Sequence, residues 1–421
     1  MRILYSLLLY LLAPLVLLRL AWRGLRAPAY RHRWPERFGF IAPPLGERVI
    51  WIHAVSVGEV QAALPLVQAL LEKYPAYSLL VTTVTPTGSA RVTALFGEDV
   101  AHVYAPYDLP DAVQRFFRRV RPQLAIIMET ELWPNLFHAC RTRQVPLLLV
   151  NARLSARSVA GYRRVKPLVA RTLANITELA TQGETDATRF IQLGASPERI
   201  TVSGNLKFEQ RVPPGLLARA AVLRRDWGKG RPVWVAASTH AGEDEQLLAV
   251  FEQLRGHFPD CLLVLVPRHP ERFEAVAELC LQRGLNIVLR SERRPCEADT
   301  QVFVGDSMGE LSLFLAAADV AFVGGSLVPH GGHNLLEPAA LGLPVATGPH
   351  VFNFTEICEM LQQAGACEVV GSGDELAAIL GRWLADANER HRVGERGRQV
   401  VEKNRGALQT VLTMIDRQLQ G

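Results

Sequence analysis

The sequence predicts an α/β protein with two doubly wound domains and an apolar helix at its N-terminus. Three observations predict it. From Val49 on, short and nearly all-apolar runs alternate with amphipathic stretches. The alternation halts once, between Lys207 and Arg231, and then restarts. Ahead of it, Ile3 to Leu18 carries no charge at all. Runs that are apolar throughout belong to parallel strands buried on both faces, with helices as the crossovers. The length of 421 residues suits two large domains, and 49% hydrophobic with 21% charged residues excludes a disordered, collagen-like or disulfide-stapled chain.

The N-terminal segment 1–22 reads as a membrane anchor, spanning or monotopic. Its apolar run is marginally short for a bilayer core unless Arg19 snorkels and Leu20, Ala21 and Trp22 join the helix. The alternative is a cleaved signal peptide. Against it, the run is preceded by Arg2 alone, and no small-x-small cleavage site follows. Segment 23–48 is a basic juxtamembrane stretch. Between Arg19 and Arg37 six arginines face the single Glu36, which accounts for the whole formal net charge of +5. A nucleic-acid binder spreads its basic residues over a folded face, so nucleic acid is not the expected partner. The positive-inside rule keeps the body in the cytoplasm. Six cysteines without CxxC or framework spacing fit free thiols in a reducing compartment.

In the first domain, 49–206, strands are expected at 49–55, 78–84, 100–105, 124–129, 146–152 and 178–182. Segment 207–231 reads as the connection. The second domain, 232–421, has expected strands at 232–238, 261–267, 285–290, 301–305, 320–325 and 344–348, then a long charged helical pattern from about Glu375 to Gln420. Two such domains imply a cleft where the carboxyl ends of the strands face each other.

The motifs sit at those strand ends. HAVSVGEV (53–60) places Glu59 in the first turn of a helix, where an ordinary dipole-favoured acid is the competing explanation. IIMETELWPN (126–135) brings Glu129 and Glu131 directly off an apolar strand, a desolvation cost that contact with water or a ligand relieves. SGNLKF (203–208) sets Lys207 at the domain junction, a cation for an anionic substrate or simply a solvated lysine; Arg153 and Arg157 add a basic rim. Neither glutamate has zinc spacing, no DxD pair follows a strand, and His330 and His333 lack further convenient ligands, so no metal site is expected. In the second domain four turns carry small or polar residues: AASTHAGEDE (236–245), VPRHPERF (266–273), GDSMGELS (305–312) and the glycine-rich block 322–349. Glycines let backbone amides approach a phosphate.

Together these motifs resemble the glycosyltransferase-B superfamily and, more narrowly, its 3-deoxy-D-manno-octulosonic acid (Kdo) transferases, in order from the anchor through at least Phe354. The resemblance implies two Rossmann-like domains and transfer of Kdo from CMP-Kdo to the 6′-hydroxyl of a tetra-acylated lipid A precursor, with inversion and without a metal. CMP-Kdo is then a co-substrate and no cofactor is needed. It implies Glu59 as general base, with Glu129 and Lys207 stabilising the transition state. CMP contacts map onto Pro267, Arg268, Met308, Gly309, Glu310, Asn334, Leu335, Leu336 and Glu337. The expected setting is a monomer on the cytoplasmic face of the inner membrane, adding one Kdo or two. A UDP-sugar transferase or epimerase of the same fold, and a non-catalytic tethered nucleotide binder, are the alternatives.

Overall fold

The computed structural model describes residues 1–42, 46–209 and 212–420. Residues 43–45, at the end of the expected juxtamembrane stretch, 210 and 211, within the expected connection, and 421 lie outside them. The chain divides into two compact units, Met1–Glu209 with Asn404–Gly421, and Gln210–Lys403.

Each unit is built on a seven-stranded, all-parallel sheet. The first contains β1 (Val49–His53), β2 (Ser78–Thr83), β3 (Ala101–Tyr104), β4 (Leu124–Met128), β5 (Leu147–Ala152), β6 (Glu178–Thr181) and β7 (Ile200–Val202), in the order β3-β2-β1-β4-β5-β6-β7. The second contains β8 (Val233–Thr239), β9 (Leu262–Pro267), β10 (Ile287–Leu289), β11 (Val302–Val304), β12 (Val320–Val323), β13 (Val345–Thr347) and β14 (Cys367–Val369), in the order β10-β11-β9-β8-β12-β13-β14. Strand residues alternate between two apolar layers. Ile50 and Ile52 enter one core of the first unit, Val49 and Trp51 the other. In the second unit Trp234 and Ala236 oppose Val233, Val235 and Ala237. Burial on both faces is why these strands read as unbroken apolar runs. The strand order reverses beside β1 in the first sheet and beside β8 in the second, and ligands of open α/β sheets bind at such points.

The expected two-domain α/β architecture is therefore the observed one, with differences in detail. β7 and β14 are three-residue edge strands whose sequences carry no apolar run. The expected connection 207–231 is largely structured. Lys207 sits in a 3₁₀ turn, Leu206–Phe208, and the helix Leu216–Trp227 buries Leu216, Ala220, Leu223 and Trp227 in the second unit's core. The long C-terminal pattern is three helices, Gly373–Ala385, Ala387–Lys403 and Ala407–Gln420. The last belongs to the first unit, so the second domain does not run to 421. Its Ala407, Val411 and Ile415 join the core around β1, and Glu209 Oε1 accepts the amides of Gly406 and Leu408 at 2.7 and 3.1 Å.

The helix that carries the expected anchor segment 1–22 extends beyond it. One helix spans Arg2–Arg26, with mean hydropathy 2.2 over its most apolar stretch. It docks on the first unit through Ser6 Oγ, 3.1 Å from Asn135 Oδ1, and the Tyr10 hydroxyl, which donates to Asp111 at 2.6 Å. The basic segment is not uniformly available to a surface. Arg37 is 3% exposed, donates to the Val84 carbonyl at 2.9 Å and stacks on Tyr104, while Arg33 binds Glu36 and the His102 carbonyl. Arg19, Arg23 and Arg26 stay exposed on the helix. All six cysteines are free.

Candidate active site

In the first unit the centre of the sheet gathers three carboxylates. β1 delivers the chain to Ser56, which caps the helix Val57–Lys73, and Glu59 lies in that helix's first turn. Its carboxyl is doubly anchored: Oε2 accepts the Val55 amide at 2.9 Å and Oε1 the Ser56 hydroxyl at 3.1 Å. Glu59 is thus partly the helix-capping acid that its position suggests. It is also only 8% exposed, and burial, reinforced by the charges of Glu129 and Glu131, pushes its carboxyl up to about 8.

Glu129 follows β4, the neighbour of β1, and takes a left-handed backbone (φ 54°). Asn151 (φ 53°) and Ser238 (φ 58°) do the same at the ends of β5 and β8. A side-chain-bearing residue held there costs about 1–2 kcal/mol, a strain that gathers at functional sites. Arg153 Nε stands 3.7 Å from Glu129 Oε2. Glu131 accepts Trp133 Nε1 at 2.6 Å, and burial raises its carboxyl as well.

The turn bearing Lys207 packs against the helix of Glu59, with Leu206 in the same core as Val60 and Ala63. Asn151 Oδ1 accepts the Leu206 amide at 3.0 Å and Asn205 Oδ1 the Lys207 amide at 3.0 Å. Asn151 was not singled out by the sequence, nor was Asp108. The latter caps the helix Pro134–Thr142 from afar, accepting the amides of Asn135 and Leu136 at 3.0 and 2.8 Å.

In the second unit the expected donor residues lie at the carboxyl edge of the sheet, on strand ends, on the loops that follow them and, for Leu336 and Glu337, in the first turn of the helix Leu336–Ala340. Pro267 ends β9, and the half-buried Arg268 ties its amide to the Thr239 carbonyl at 3.0 Å. After β11, Met308 and Gly309 are exposed, with Gly309 left-handed (φ 82°). Glu310 is held by two bonds from Arg290, at 2.9 and 2.8 Å, and one from the Ser307 hydroxyl at 2.6 Å. These draw its carboxyl down to about 2. After β12, Asn334 bridges to Glu337, with Nδ2 donating to Oε1 at 3.2 Å. Leu335 and Leu336 are wholly buried, so only their backbone can meet a ligand, and the Leu336 amide is already taken by Asn334 Oδ1.

Two groups here had no sequence signal beyond their motifs. Glu243, 0% exposed, accepts four backbone amides: His240 and Gly325 on Oε2, Ser326 and Leu327 on Oε1, at 2.7–2.9 Å. It thereby fastens the β12 turn to the β8 turn; a Cβ at Gly324 would lie 2.9 Å from its Oε2. Beside it, His240 and His333 share a bond of 2.8 Å between their Nε2 atoms, with His330 stacked on His240. Burial, then neighbouring histidines and arginines, lowers His240 to about 4 and His333 to about 3. Among the described residues no group of three or more His, Cys, Asp or Glu is arranged to hold a metal ion.

The folded protein keeps both imidazoles neutral at pH values where the unfolded chain binds protons. Stability should therefore fall as pH drops below 6.5, down to the folded values of about 4 and 3. Allowing for solvent at the pair's open side, the loss is about 2 kcal/mol by pH 4. Urea denaturation at pH 7 and 4.5, comparing wild type with His333→Phe, checks this: the variant should lose less on acidification.

Comparison with known proteins agrees with this architecture. Residues 32–210 match the family model described as 3-deoxy-D-manno-octulosonic-acid transferase (kdotransferase), and residues 244–400 that of glycosyl transferases group 1. The chain is 44% identical over 425 residues to the 3-deoxy-D-manno-octulosonic acid transferase of Haemophilus influenzae, covering 100% of this chain and 99% of that protein. Against the Bordetella pertussis enzyme of the same description the identity is 37%, over 98% of each. The UDP-GlcNAc 2-epimerase of Neisseria meningitidis, solved with UDP-GlcNAc, superposes with a TM-score of 0.56 at 12% identity, covering 88% of this chain and 100% of that one. So distant a likeness speaks for the fold alone, two Rossmann-like α/β domains in one chain. Similarity to the two transferases, in contrast, runs from end to end, and by it the chain belongs to the 3-deoxy-D-manno-octulosonic acid (Kdo) transferases.

Proposed function

We propose that the enzyme moves Kdo from CMP-Kdo to the 6′-hydroxyl of a tetra-acylated lipid A precursor at the cytoplasmic face of the inner membrane, by one inverting displacement and without a metal or cofactor. The observation that carries the reading is the Glu59 carboxyl, buried where the first sheet reverses and raised to about 8 beside Glu129 and Glu131. A sugar hydroxyl is a weak nucleophile, and a base with a value near the working pH takes its proton most effectively as the C–O bond forms. A single displacement needs one such base, and the CMP phosphate departs with the electron pair. Its charge is met by Arg268 and by the main-chain amides of the glycine turns. The ionised Glu310 offers an acceptor to an amino or hydroxyl group of the nucleoside. Lys207 and Arg153 are cations for the carboxylate that Kdo itself carries, and Glu129 keeps Arg153 in place.

The Arg2–Arg26 helix supports a membrane setting. Because Ser6 and Tyr10 are bonded to the body, the N-terminal half of the helix lies along the domain, which favours an in-plane anchor over a span. Exposed Arg19, Arg23 and Arg26 then face anionic headgroups.

Incubation with CMP-Kdo and the lipid A precursor tests the reading. Release of CMP with formation of Kdo-lipid is the expected result, and a mass spectrum of the lipid counts the sugars. Turnover confined to UDP-sugars would reject it. Arg268→Ala should weaken CMP binding by roughly 10- to 100-fold in calorimetry, the worth of a charge-assisted phosphate contact; undiminished affinity would put the phosphate elsewhere.

A further inference from the structure

The Arg2–Arg26 helix has two apolar faces with different surroundings. Leu4, Leu7, Leu11 and Leu15 are 60–74% exposed. Leu9, Ala13 and Leu17 instead form one wall of a cavity of about 290 Å³, opposite Leu109, Leu132 and Trp133 of the domain body. Polar atoms at this cavity are already engaged. Asp108 accepts two amides of the following helix and a bond from the Tyr5 hydroxyl. A sugar or a nucleotide would find little to bind there, whereas a hydrocarbon chain needs nothing more.

The far wall belongs to the catalytic loop. Leu132 and Trp133 directly follow Glu129–Glu131, the Trp133 indole donates to Glu131 at 2.6 Å, and its ring stands edge-on to His53 at the end of β1, 5.5 Å between centroids. The same few residues thus touch both the apolar cavity and the acidic cluster.

We propose that this cavity receives one acyl chain of the lipid acceptor, seated between the anchor helix and the body so that the attached sugar is held at Glu59, Glu129 and Glu131. The inference rests on the acylated acceptor proposed above. An ordinary phospholipid has the same tail chemistry, but only the acceptor has its reacting head at the loop that forms the wall. Hydrocarbon gains little by leaving one apolar medium for another, so the cavity sets position more than affinity. Its loss should lower kcat more than it raises KM.

The test uses the full chain in phospholipid–detergent micelles and an acceptor analogue with a diazirine at the end of one acyl chain. Photolysis is expected to label Leu9, Ala13, Leu17 or Trp133. Filling the space with Ala13→Phe should cut both that labelling and kcat by roughly tenfold or more, while Leu11→Phe on the outward face leaves both unchanged. Should Ala13→Phe fail to fold, Leu9→Ala, which enlarges the space, is expected to shift preference toward longer acyl chains. Acceptor labelling confined to Leu4, Leu7 or Leu11 would overturn the proposal. So would cavity labelling by a diazirine phospholipid that excess acceptor does not displace, or unaltered chain preference in Leu9→Ala. Wild type inactive with CMP-Kdo and the acylated acceptor would instead sink the proposed function itself.

Discussion

Glu59→Gln is expected to cut turnover by roughly 10²–10⁴-fold while CMP affinity stays within about twofold, because only the proton acceptor is removed. The substitution is nearly isosteric. The amide oxygen can accept the Val55 amide, and its NH₂ can donate to the Ser56 hydroxyl, so both anchors of the side chain survive. The pH profile gives a second readout. Since burial and two neighbouring carboxylates raise the acid to about 8, activity of the wild type should climb with pH and level off above that value. In the variant this limb should vanish. Stability moves the other way. A carboxyl whose folded value exceeds its unfolded value of 4.5 contributes less as pH rises from about 4.5 to 8, so the neutral glutamine should leave the protein no less stable at pH 8. If turnover, CMP binding and melting temperature fell together, the capping role of Glu59 would be its only one.

The motifs were legible because each lies at the end of a strand that is itself legible. HAVSVGEV and METELW follow β1 and β4, whose alternate residues fill both cores, and the placing of Glu59 beside Glu129 follows once the two strands pair. What could not be read depends on partners far along the chain. Asp108 and Asn151 act on amides 27 to 55 residues away, and Glu243 on amides 82 to 84 residues away. Side-chain chemistry alone does not disclose which backbone donors a carboxylate will meet. The left-handed backbone of Glu129 was hidden for the same reason, since nothing in a glutamate favours it. Arg37 shows the converse error. Its place in a basic run suggested a surface charge, yet packing on Tyr104 and the Val84 carbonyl makes it part of the fold. The C-terminal helical pattern likewise carried no mark of crossing to the first unit. The break falls at Asn404–Gly406, where Gly406 is left-handed (φ 113°), and the destination is set by Glu209 and the apolar face of the last helix.

Glu243→Ala should strongly destabilise the second unit. It would strand four amide donors at a site with no exposure, at about 1–3 kcal/mol for each that no water reaches. Some water would enter the vacated space, which leaves an expected loss of about 3–5 kcal/mol in urea denaturation. The glycine turn Gly324–Gly325 would then lose its tether to the β8 turn, and the loop carrying His333 and Asn334 its position, so CMP affinity should fall with stability. Glutamine discriminates between causes. Each carboxylate oxygen serves two amides, so whichever end of the glutamine bears the NH₂, two N–H groups face another donor. If the count of acceptors is what holds the two turns together, Glu243→Gln will rescue little, recovering at most about 1–2 kcal/mol of the alanine loss. A glutamine variant as stable as wild type would mean that packing of the side chain, and not its four acceptor bonds, fastens the site.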